Sequence, residues 1–152
     1  MNEELLKQII TRYENASFIV NRRLNALLRD LVPGELTLDQ VFVLRYMCTH
    51  NPCTSSELAD TFCVGKSSIT AIISRLFDKS LIRRIPDEKD RRVTYLALTE
   101  EGMRVTGEME RKIHQLLTRY IARFDEQEGE AFIATFEKLA RVLLEAEQDP
   151  QK

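Results

Sequence analysis

The stretch that decides the fold runs from residue 54 to residue 99 and reads TSSELADTFCVGKSSITAIISRLFDKSLIRRIPDEKDRRVTYLALT. Its first four residues, Thr54 to Glu57, fit a capping box, in which the threonine and glutamate side chains accept hydrogen bonds from backbone N–H groups at the start of a helix. The helix that begins there is broken at Cys63-Val64-Gly65. A second helix follows from about Lys66 to Lys79, with Gly65 as an acceptable N-cap. The pattern therefore predicts two helices joined by a tight turn.

The second half of this stretch changes from helical to strand periodicity. Residues 81–85 and 93–98 are short apolar runs with β-branched residues and partial alternation, which predict two strands. The charged segment from Pro86 to Arg92 joins them and predicts a hairpin. A helix-turn-helix followed by such a hairpin, or wing, is a winged helix, and the second helix of a helix-turn-helix lies in the major groove of DNA. We therefore expect a mainly α fold with a small β-hairpin wing.

The second helix of the pair has one apolar and one polar face. Ile69, Ile72, Ile73 and Leu76 recur at i, i+3, i+4 and i+7, which predicts a buried stripe. Small side chains on the opposite face let the backbone approach a groove floor, where hydroxyls reach phosphates or base edges and arginine pairs with guanine. A polar outer face is also what most amphipathic helices have. The candidate DNA-binding residues of this helix are Lys66, Ser67, Ser68, Thr70, Ala71, Ser74 and Arg75.

The hairpin adds basic side chains far from the predicted core. Arg91 and Arg92 lie at its distal part beside Asp90, whose carboxylate suits holding a guanidinium in a defined orientation. Arginine is favoured in a narrow minor groove because the negative potential is enhanced there. Between Gly65 and Thr99 there are eight basic and four acidic residues, although the whole chain has a net charge of −2. The candidate DNA-binding residues of the hairpin are Arg84, Lys89, Asp90, Arg91 and Arg92.

Long amphipathic helices are predicted on both sides of this region. Before it, Pro33-Gly34 ends a first helix, and a second capping box at residues 37–40 precedes the buried run 41–48. After it, Thr99 caps a further helix, and a last helix runs over about residues 127–147. An apolar seam on the first helix fits either an intramolecular core or a subunit interface. The seam residues are Leu6, Ile9, Tyr13, Ala16, Val20, Leu24, Leu27 and Leu31 in the first helix, and Met109, Ile113, Leu116, Leu117, Tyr120 and Phe124 after Thr99.

Composition excludes several other classes of protein. With 43% apolar and 30% charged residues over 152 positions, the chain has a globular rather than a disordered balance. No apolar run approaches the roughly 20 residues of a membrane span, and the first residues lack the pattern of a secretory signal. Three cysteines are an odd number and too few for a disulfide scaffold, so we expect a cytoplasmic protein with no membrane partner.

The hairpin sequence resembles the wing signature of MarR-type transcriptional regulators. The resemblance rests on LIRR at residues 81–84 and on DRRVTYLALTEEG at residues 90–102, and it extends back through SSELA at residues 55–59 and SITAIISRL at residues 68–76. Such a resemblance implies a winged helix-turn-helix with N- and C-terminal dimerisation helices. The implied organisation is a single MarR-type domain over residues 1–152, with dimerisation helices at 1–34 and 100–148 and the DNA-binding lobe at 35–99.

The resemblance also implies a function and a binding mode. The protein would be a triangular homodimer on the inverted repeat of an operator in double-stranded DNA. The segment from Lys66 would lie in the major groove, and Arg92, oriented by Asp90, would reach the minor groove. The usual outcome in this family is repression that a small-molecule effector or an oxidant relieves. Ser80 departs from the family pattern, because a glycine commonly ends the recognition helix at this position.

The sequence is less informative about the signal. Cys48, His50, Cys53 and Cys63 suggest a metal site, but Cys48 and His50 point to different faces of one helix, so we expect neither a metal nor another cofactor. Buried, inert thiols are the simpler interpretation. Cys63, at the break between two helices, is the candidate for thiol oxidation. The candidate effector-binding residues are Tyr13, Phe18 and Tyr46, residue types that are also common in cores.

Two further function classes are weighed against a DNA-binding regulator. A winged helix can serve as a protein-interaction module without specific DNA binding, although the helix from Lys66 lacks the aromatic side chains typical of protein hot spots. An enzyme is not expected, because the sequence has no glycine-rich phosphate loop, nucleophile elbow or pair of histidines at ligand spacing. Salt-dependent binding to duplex DNA separates the regulator from the protein-interaction module.

Overall fold

The computed structural model describes residues 2–147, with side chains described to residue 145. Over these residues the chain is mainly helical with one small antiparallel sheet, as the sequence predicts. None of the helices in this described part is long and apolar enough to cross a membrane. In chain order the elements are α1 (Glu3–Leu31), α2 (Leu38–Thr49), β1 (Cys53–Thr54), α3 (Ser55–Thr61), α4 (Lys66–Asp78), β2 (Ile82–Pro86), β3 (Thr94–Leu98), α5 (Glu100–Ile121) and α6 (Glu126–Glu147).

Both predicted capping boxes are present. At the start of α2, the Gln40 N–H donates to Thr37 Oγ1 at 3.3 Å, and the Thr37 N–H donates to Gln40 Oε1 at 3.2 Å. At the start of α3, the Glu57 N–H donates to Thr54 Oγ1 at 3.2 Å, while the Glu57 carboxylate accepts from the Thr54 N–H. Each box satisfies two backbone groups that a helix start otherwise leaves without partners. These two local signals therefore fix where the lobe's first helices begin.

The sheet has a third strand that the sequence reasoning missed. Its order is β1-β3-β2, with both pairs antiparallel, and Cys53 and Thr54 of β1 lie opposite Leu96 and Tyr95 of β3. A strand of two residues has no periodicity to read, and Thr54 also serves as the N-cap of α3. The predicted hairpin of β2 and β3 is confirmed, and the segment before α3 adds a third strand at the second edge of β3.

The two predicted strands each begin one residue later than expected. Leu81 precedes β2 because its N–H donates to the Leu76 carbonyl, in the turn that ends α4. Val93 precedes β3 because its N–H donates to the Asp90 carbonyl, within the tip of the hairpin. In both cases a local turn takes the backbone donor that a strand pairing would have used.

The core of the lobe joins the helices to one face of the sheet. The predicted stripe of α4 is confirmed, because Ile69, Ile73 and Leu76 are buried and Ile72 is partly buried. These side chains form one cluster with residues of α2, α3, the sheet and the turn before β2, namely Val43, Leu44, Met47, Cys53, Leu58, Ala59, Leu81, Ile82, Leu96 and Leu98. The inward face of α4 is thus fully used in packing, which leaves its opposite face to solvent.

Helices α3 and α4 end in the same way. After α4, Ser80 has φ 57°, its N–H donates to the Phe77 carbonyl, and the Leu81 N–H donates to the Leu76 carbonyl. This pair of bonds is a Schellman motif, whose left-handed residue is most often glycine. Cys63 has φ 51° and occupies the equivalent position after α3. The chain therefore makes the expected turn after α4 with serine in place of glycine.

The cysteines differ in their environment. Cys53 is buried in the core, where burial raises the pKa of its thiol to about 11. Cys48 and Cys63 are exposed, so the expectation of buried thiols is wrong for these two. Cys48 lies near the end of α2 and Cys63 lies in the turn between α3 and α4, where their side chains fall outside the core cluster. Within the described residues, no group of three or more His, Cys, Asp or Glu side chains is placed to hold a metal ion.

The chain divides into two compact units, whose boundary lies within α5 after Ile113. In the first unit, α1 has Leu28 buried, but its seam residues Leu6, Ile9, Tyr13 and Val20 are exposed. In the second unit, α6 has a row of exposed apolar residues, namely Phe132, Ile133, Phe136, Val142, Leu143 and Leu144. The single domain over residues 1–152 stays a prediction, and the end of its second dimerisation segment, residue 148, lies outside the described residues.

Candidate nucleic-acid interface

The outward face of α4 is exposed along its length. Of the candidate residues, Lys66, Ser67, Ser68, Thr70, Ala71, Ser74 and Arg75 are all solvent-exposed. The Thr70 hydroxyl donates to the Lys66 carbonyl at 2.7 Å, so its hydrogen is used within the helix. The oxygen lone pairs and the methyl group of Thr70 stay available to an outside partner. The structure therefore presents the small polar surface that the sequence predicts, with a basic residue at each end.

The tip of the wing, residues 87–93, is organised by Asp87. One of its carboxylate oxygens accepts from the backbone N–H of Lys89 at 2.7 Å and of Asp90 at 2.8 Å. These two hydrogen bonds, the one from Asp90 first, lower the pKa of the Asp87 carboxyl. The tip is closed by hydrogen bonds from the Val93 N–H to the Asp90 carbonyl and from the Asp87 N–H to the Val93 carbonyl. Sequence reasoning missed Asp87, although aspartate two or three residues before backbone donors is a known turn signal.

Arg92 is held by Asp90 at this tip. The arginine Nε and Nη2 atoms each donate to a different carboxylate oxygen of Asp90, both at 3.1 Å, and the Arg92 backbone N–H donates to the same carboxylate at 3.0 Å. The side-chain hydrogen bond from Arg92 lowers the pKa of Asp90, and the same bond raises the pKa of Arg92. The Arg92 side chain is nevertheless 90% exposed. It is a fixed cation at the far end of the wing, directed into solvent.

Comparison of the chain with known proteins identifies the family to which it belongs. The sequence model of the MarR family matches residues 36–94, which include α2 to α4 and the wing up to the start of β3. The transcriptional regulator BilQ of Clostridioides difficile is 31% identical over 102 residues, covering 64% of this chain and 69% of that protein. The chain belongs to the MarR family.

A further curated relative and a solved structure also resemble this chain. The transcriptional repressor MdtR of Bacillus subtilis is 36% identical over 93 residues, covering 61% of this chain and 60% of that protein. A mutant of MarR from E. coli, solved in complex with operator DNA, superposes with a TM-score of 0.69 at 26% identity, covering 89% of this chain and 95% of the other. The fold of the present MarR-family chain is thus one that has been observed on an operator.

Arg84 lies where the wing of this MarR protein meets α4. Its guanidinium carbon is 4.9 Å from the centroid of the Phe77 ring, on the last turn of α4. Lys89 and Arg91 are exposed on the wing tip. The candidate cations are thus all exposed, and they lie along α4, at its junction with β2 and at the wing tip. Their roles in binding DNA stay predictions.

The candidate effector residues lie in two different environments. Tyr13 and Phe18 are exposed on α1, with the Arg22 guanidinium 5.6 Å from the Phe18 ring centroid. Tyr46 stacks on the His50 ring at 4.0 Å between centroids, meets the Phe62 ring edge-on, and accepts a hydrogen bond from the Thr61 hydroxyl at 3.3 Å. Its contacts thus tie α2 to the end of α3. An effector site at these residues stays a prediction, as does an oxidant-sensing role for the exposed Cys63.

Contacts between α2 and the first half of α5 were not foreseen from the sequence. Arg45 donates from Nε and Nη2 to the two carboxylate oxygens of Glu110, a residue 65 positions away in the chain. Nearby, a cavity of about 350 Å³ opens between the segment before α2, the end of α4 and α5. Its lining combines apolar side chains such as Leu36 and Met109 with charged ones such as Lys79 and Arg104. Residues this far apart in the sequence leave no local pattern from which their contact could be predicted.

Proposed function

We propose that this protein is a homodimeric repressor that binds an inverted-repeat operator, each subunit placing α4 in the major groove and the tip of its wing in the adjacent minor groove. The observation that carries this proposal is the ion pair of Asp90 and Arg92 at the tip of the wing. The wing follows α4, whose exposed face has mostly small side chains. Sequence-specific regulation of transcription is the function of the family, whereas the repressor action, the homodimer and the groove assignment are proposals for this chain.

The two elements suit the two grooves for different physical reasons. The serines, threonine and alanine of α4 allow close approach to base edges, and its basic ends add phosphate contacts. At the wing, Asp90 fixes the Arg92 guanidinium before DNA is present, so less side-chain entropy is lost on binding. An exposed cation of this kind is attracted by the deep negative potential of a narrow minor groove. Together they supply one specific and one shape-dependent contact for each half-site.

The homodimer rests on apolar surface that each unit leaves uncovered. Helix α1 exposes most of its apolar seam, and α6 exposes three aromatic or aliphatic side chains within one turn and a half, at Phe132, Ile133 and Phe136. Large contiguous apolar surface on a folded chain usually marks an interface. A second copy of the chain is the proposed partner for both faces, and it gives the two-fold symmetry that an inverted repeat requires.

The proposal also covers the release signal and the site of action. A small molecule or an oxidant would relieve repression. The places to test are the cavity between the segment before α2, the end of α4 and α5, and the exposed Cys63. A regulator of this kind works in the cytoplasm, where it meets DNA, and it needs neither catalysis nor a cofactor. The repressor MdtR supports the direction of regulation.

Selection of bound fragments from a genomic library tests the proposal, followed by fluorescence anisotropy on the selected duplex and sedimentation of the free protein. We expect a dimer and an inverted repeat with half-sites about one helical turn apart. Affinity for this duplex should fall steeply as salt increases, because phosphate contacts release counterions. A monomeric chain, or one that binds no duplex at low salt, would contradict the proposal and favour a protein-interaction module.

A further inference from the structure

Phe77 is an aromatic side chain on the last turn of α4 that the core does not use. Its neighbour Leu76 is fully buried, whereas Phe77 is 43% exposed on the outward side. The guanidinium of Arg84 covers its ring at 4.9 Å from the centroid. An exposed phenylalanine offers little to folding in this position, but its ring face is a binding surface for a cation. The ring and the guanidinium therefore form a contact of their own at the surface.

The register of the sheet explains why Arg84, rather than Arg83, meets this ring. Arg84 lies opposite Leu96, and Ile82 lies opposite Leu98, so these four residues share one face of the sheet. Ile82, Leu96 and Leu98 pack in the core on that face, against α4. Arg84 continues the same row outward and reaches the end of α4. Arg83 lies opposite Ala97 on the other face of the sheet and points away from the ring.

No carboxylate in the described part of the chain forms an ion pair with Arg84. Among the residues that the structure describes, Arg45, Arg92 and Arg104 pair with acidic side chains within 4.0 Å, and Arg84 does not. An aromatic ring attracts a guanidinium without accepting conventional hydrogen bonds from all its N–H groups, so Arg84 keeps N–H groups that can donate to another partner. Phosphate oxygens are the anions that this edge fits, by two parallel hydrogen bonds.

We propose that Phe77 is a positioning residue that holds Arg84 ready to bind a backbone phosphate of DNA, at the junction between α4 and the wing. This inference rests on the proposed function, since a duplex that accepts α4 in one groove and the wing in the next passes its phosphate backbone across this junction. The ring restricts a long, flexible side chain before binding, so that the phosphate contact costs less conformational entropy.

The experiment measures anisotropy of a labelled 26-base-pair duplex of random sequence, because phosphate contacts do not depend on sequence. The series of variants is Phe77→Leu, Phe77→Met, Phe77→Tyr and Arg84→Ala, with Phe77→Leu also combined with Arg84→Ala. The matched control is Arg83→Ala, alone and with Phe77→Leu, because it removes the same charge from the opposite face of β2. Two apolar replacements are used so that a fold defect in one does not decide the result, and urea unfolding checks each variant.

We expect Phe77→Leu and Phe77→Met to weaken duplex binding about two- to fivefold, the range of one exposed cation–π contact, and Phe77→Tyr to bind like the wild type because it keeps the ring. Arg84→Ala should make the slope of log affinity against log salt shallower by about 0.9 for each phosphate that the variant no longer neutralises. In the Arg84→Ala background, Phe77→Leu should have no further effect, whereas it should keep its full effect in the Arg83→Ala background.

Two results would overturn the inference while leaving the proposed function intact. The first is that the wild-type protein binds duplex DNA and that the variants Phe77→Leu and Phe77→Met bind it with the same affinity. The other is an equal loss of affinity from Phe77→Leu with and without Arg84, which would mean that the ring acts independently of the arginine. Failure of the wild type to bind any duplex would instead overturn the proposed function, and this inference with it.

Discussion

Gly102 is the position where a single added carbon tests the packing of α5 against the lobe. The glycine is buried, and a Cβ built on it would lie 2.0 Å from the carbonyl oxygen of Leu81 and 3.0 Å from the carbonyl carbon. Ordinary contact between such atoms needs about 3.5 Å, so the change Gly102→Ala must separate α5 from Leu81 by more than an ångström. Both clashing atoms belong to the backbone, which cannot rotate away as a flexible side chain can.

The expected magnitude follows from three contributions. Overpacking at a rigid site costs about 1–3 kcal/mol. The Leu81 carbonyl also accepts from the Thr99 N–H at 3.0 Å, and losing this bond costs about 0.5–1.5 kcal/mol. Alanine is a better helix former than glycine by about 1 kcal/mol, which offsets part of the loss. The cost of the clash exceeds the gain in helix propensity, so Gly102→Ala should lower the free energy of unfolding by about 1–3 kcal/mol.

The matched control lies on the same helix. Gly107 is exposed, and a Cβ there would meet nothing within 4 Å, so Gly107→Ala should raise the free energy of unfolding by up to about 1 kcal/mol. Urea unfolding followed by circular dichroism, at one fixed protein concentration, gives both values. Opposite signs for the two alanines are expected. If Gly102→Ala is as stable as the wild type, the close approach of α5 to Leu81 is wrong.

Three further predictions concern single side chains. Ser80→Gly should raise the free energy of unfolding in urea by about 0.5–1 kcal/mol, because Ser80 has a left-handed φ that glycine adopts without strain; an equal or lower value would mean that the turn after α4 is not strained. The pairing of Asp90 with Arg92 should persist at neutral pH and be lost as the pH falls through the lowered pKa of Asp90, since a protonated carboxyl no longer accepts both arginine N–H groups; the Arg92 Nε–H signal in NMR should follow this titration, and Asp90→Asn should remove it. Cys53, with its pKa raised to about 11 by burial, should resist alkylation by iodoacetamide at pH 8 in the folded protein and react in urea, as read by mass spectrometry; rapid labelling without urea would contradict its burial.

Local signals in the sequence were sufficient for most helix boundaries. The capping boxes at Thr37 and Thr54 identify where α2 and α3 begin, because all the groups of a capping box lie within four consecutive residues. The stripe from Ile69 to Leu76 likewise fixes the inner face of α4 through its period alone. The outward face then follows by elimination, which is why all the candidate residues of α4 are indeed exposed.

Contacts between distant residues could not be read in this way. The pairing of Cys53 with Leu96 makes a third strand from two residues, and the bond of Arg45 to Glu110 joins positions 65 apart. The Phe77 ring under Arg84 depends on the strand register, which sets the face on which each arginine lies. Helical periodicity identified the apolar seam of α1, but periodicity cannot show what covers an apolar face. We propose that a second copy of the chain covers it.

The central claim is that α4 and the wing bind adjacent grooves of one duplex. Measuring the affinity of the Arg92→Ala variant for the selected operator tests this claim most directly. Arg83→Ala is the matched control, because it removes an exposed arginine of β2 that is not among the candidate DNA-binding residues and lies outside the proposed dimerisation helices. At matched salt, we expect Arg92→Ala to weaken operator binding by about 1–3 kcal/mol, the worth of one good groove contact, and Arg83→Ala to bind like the wild type. Equal affinities of Arg92→Ala and wild-type protein would contradict the role of the wing.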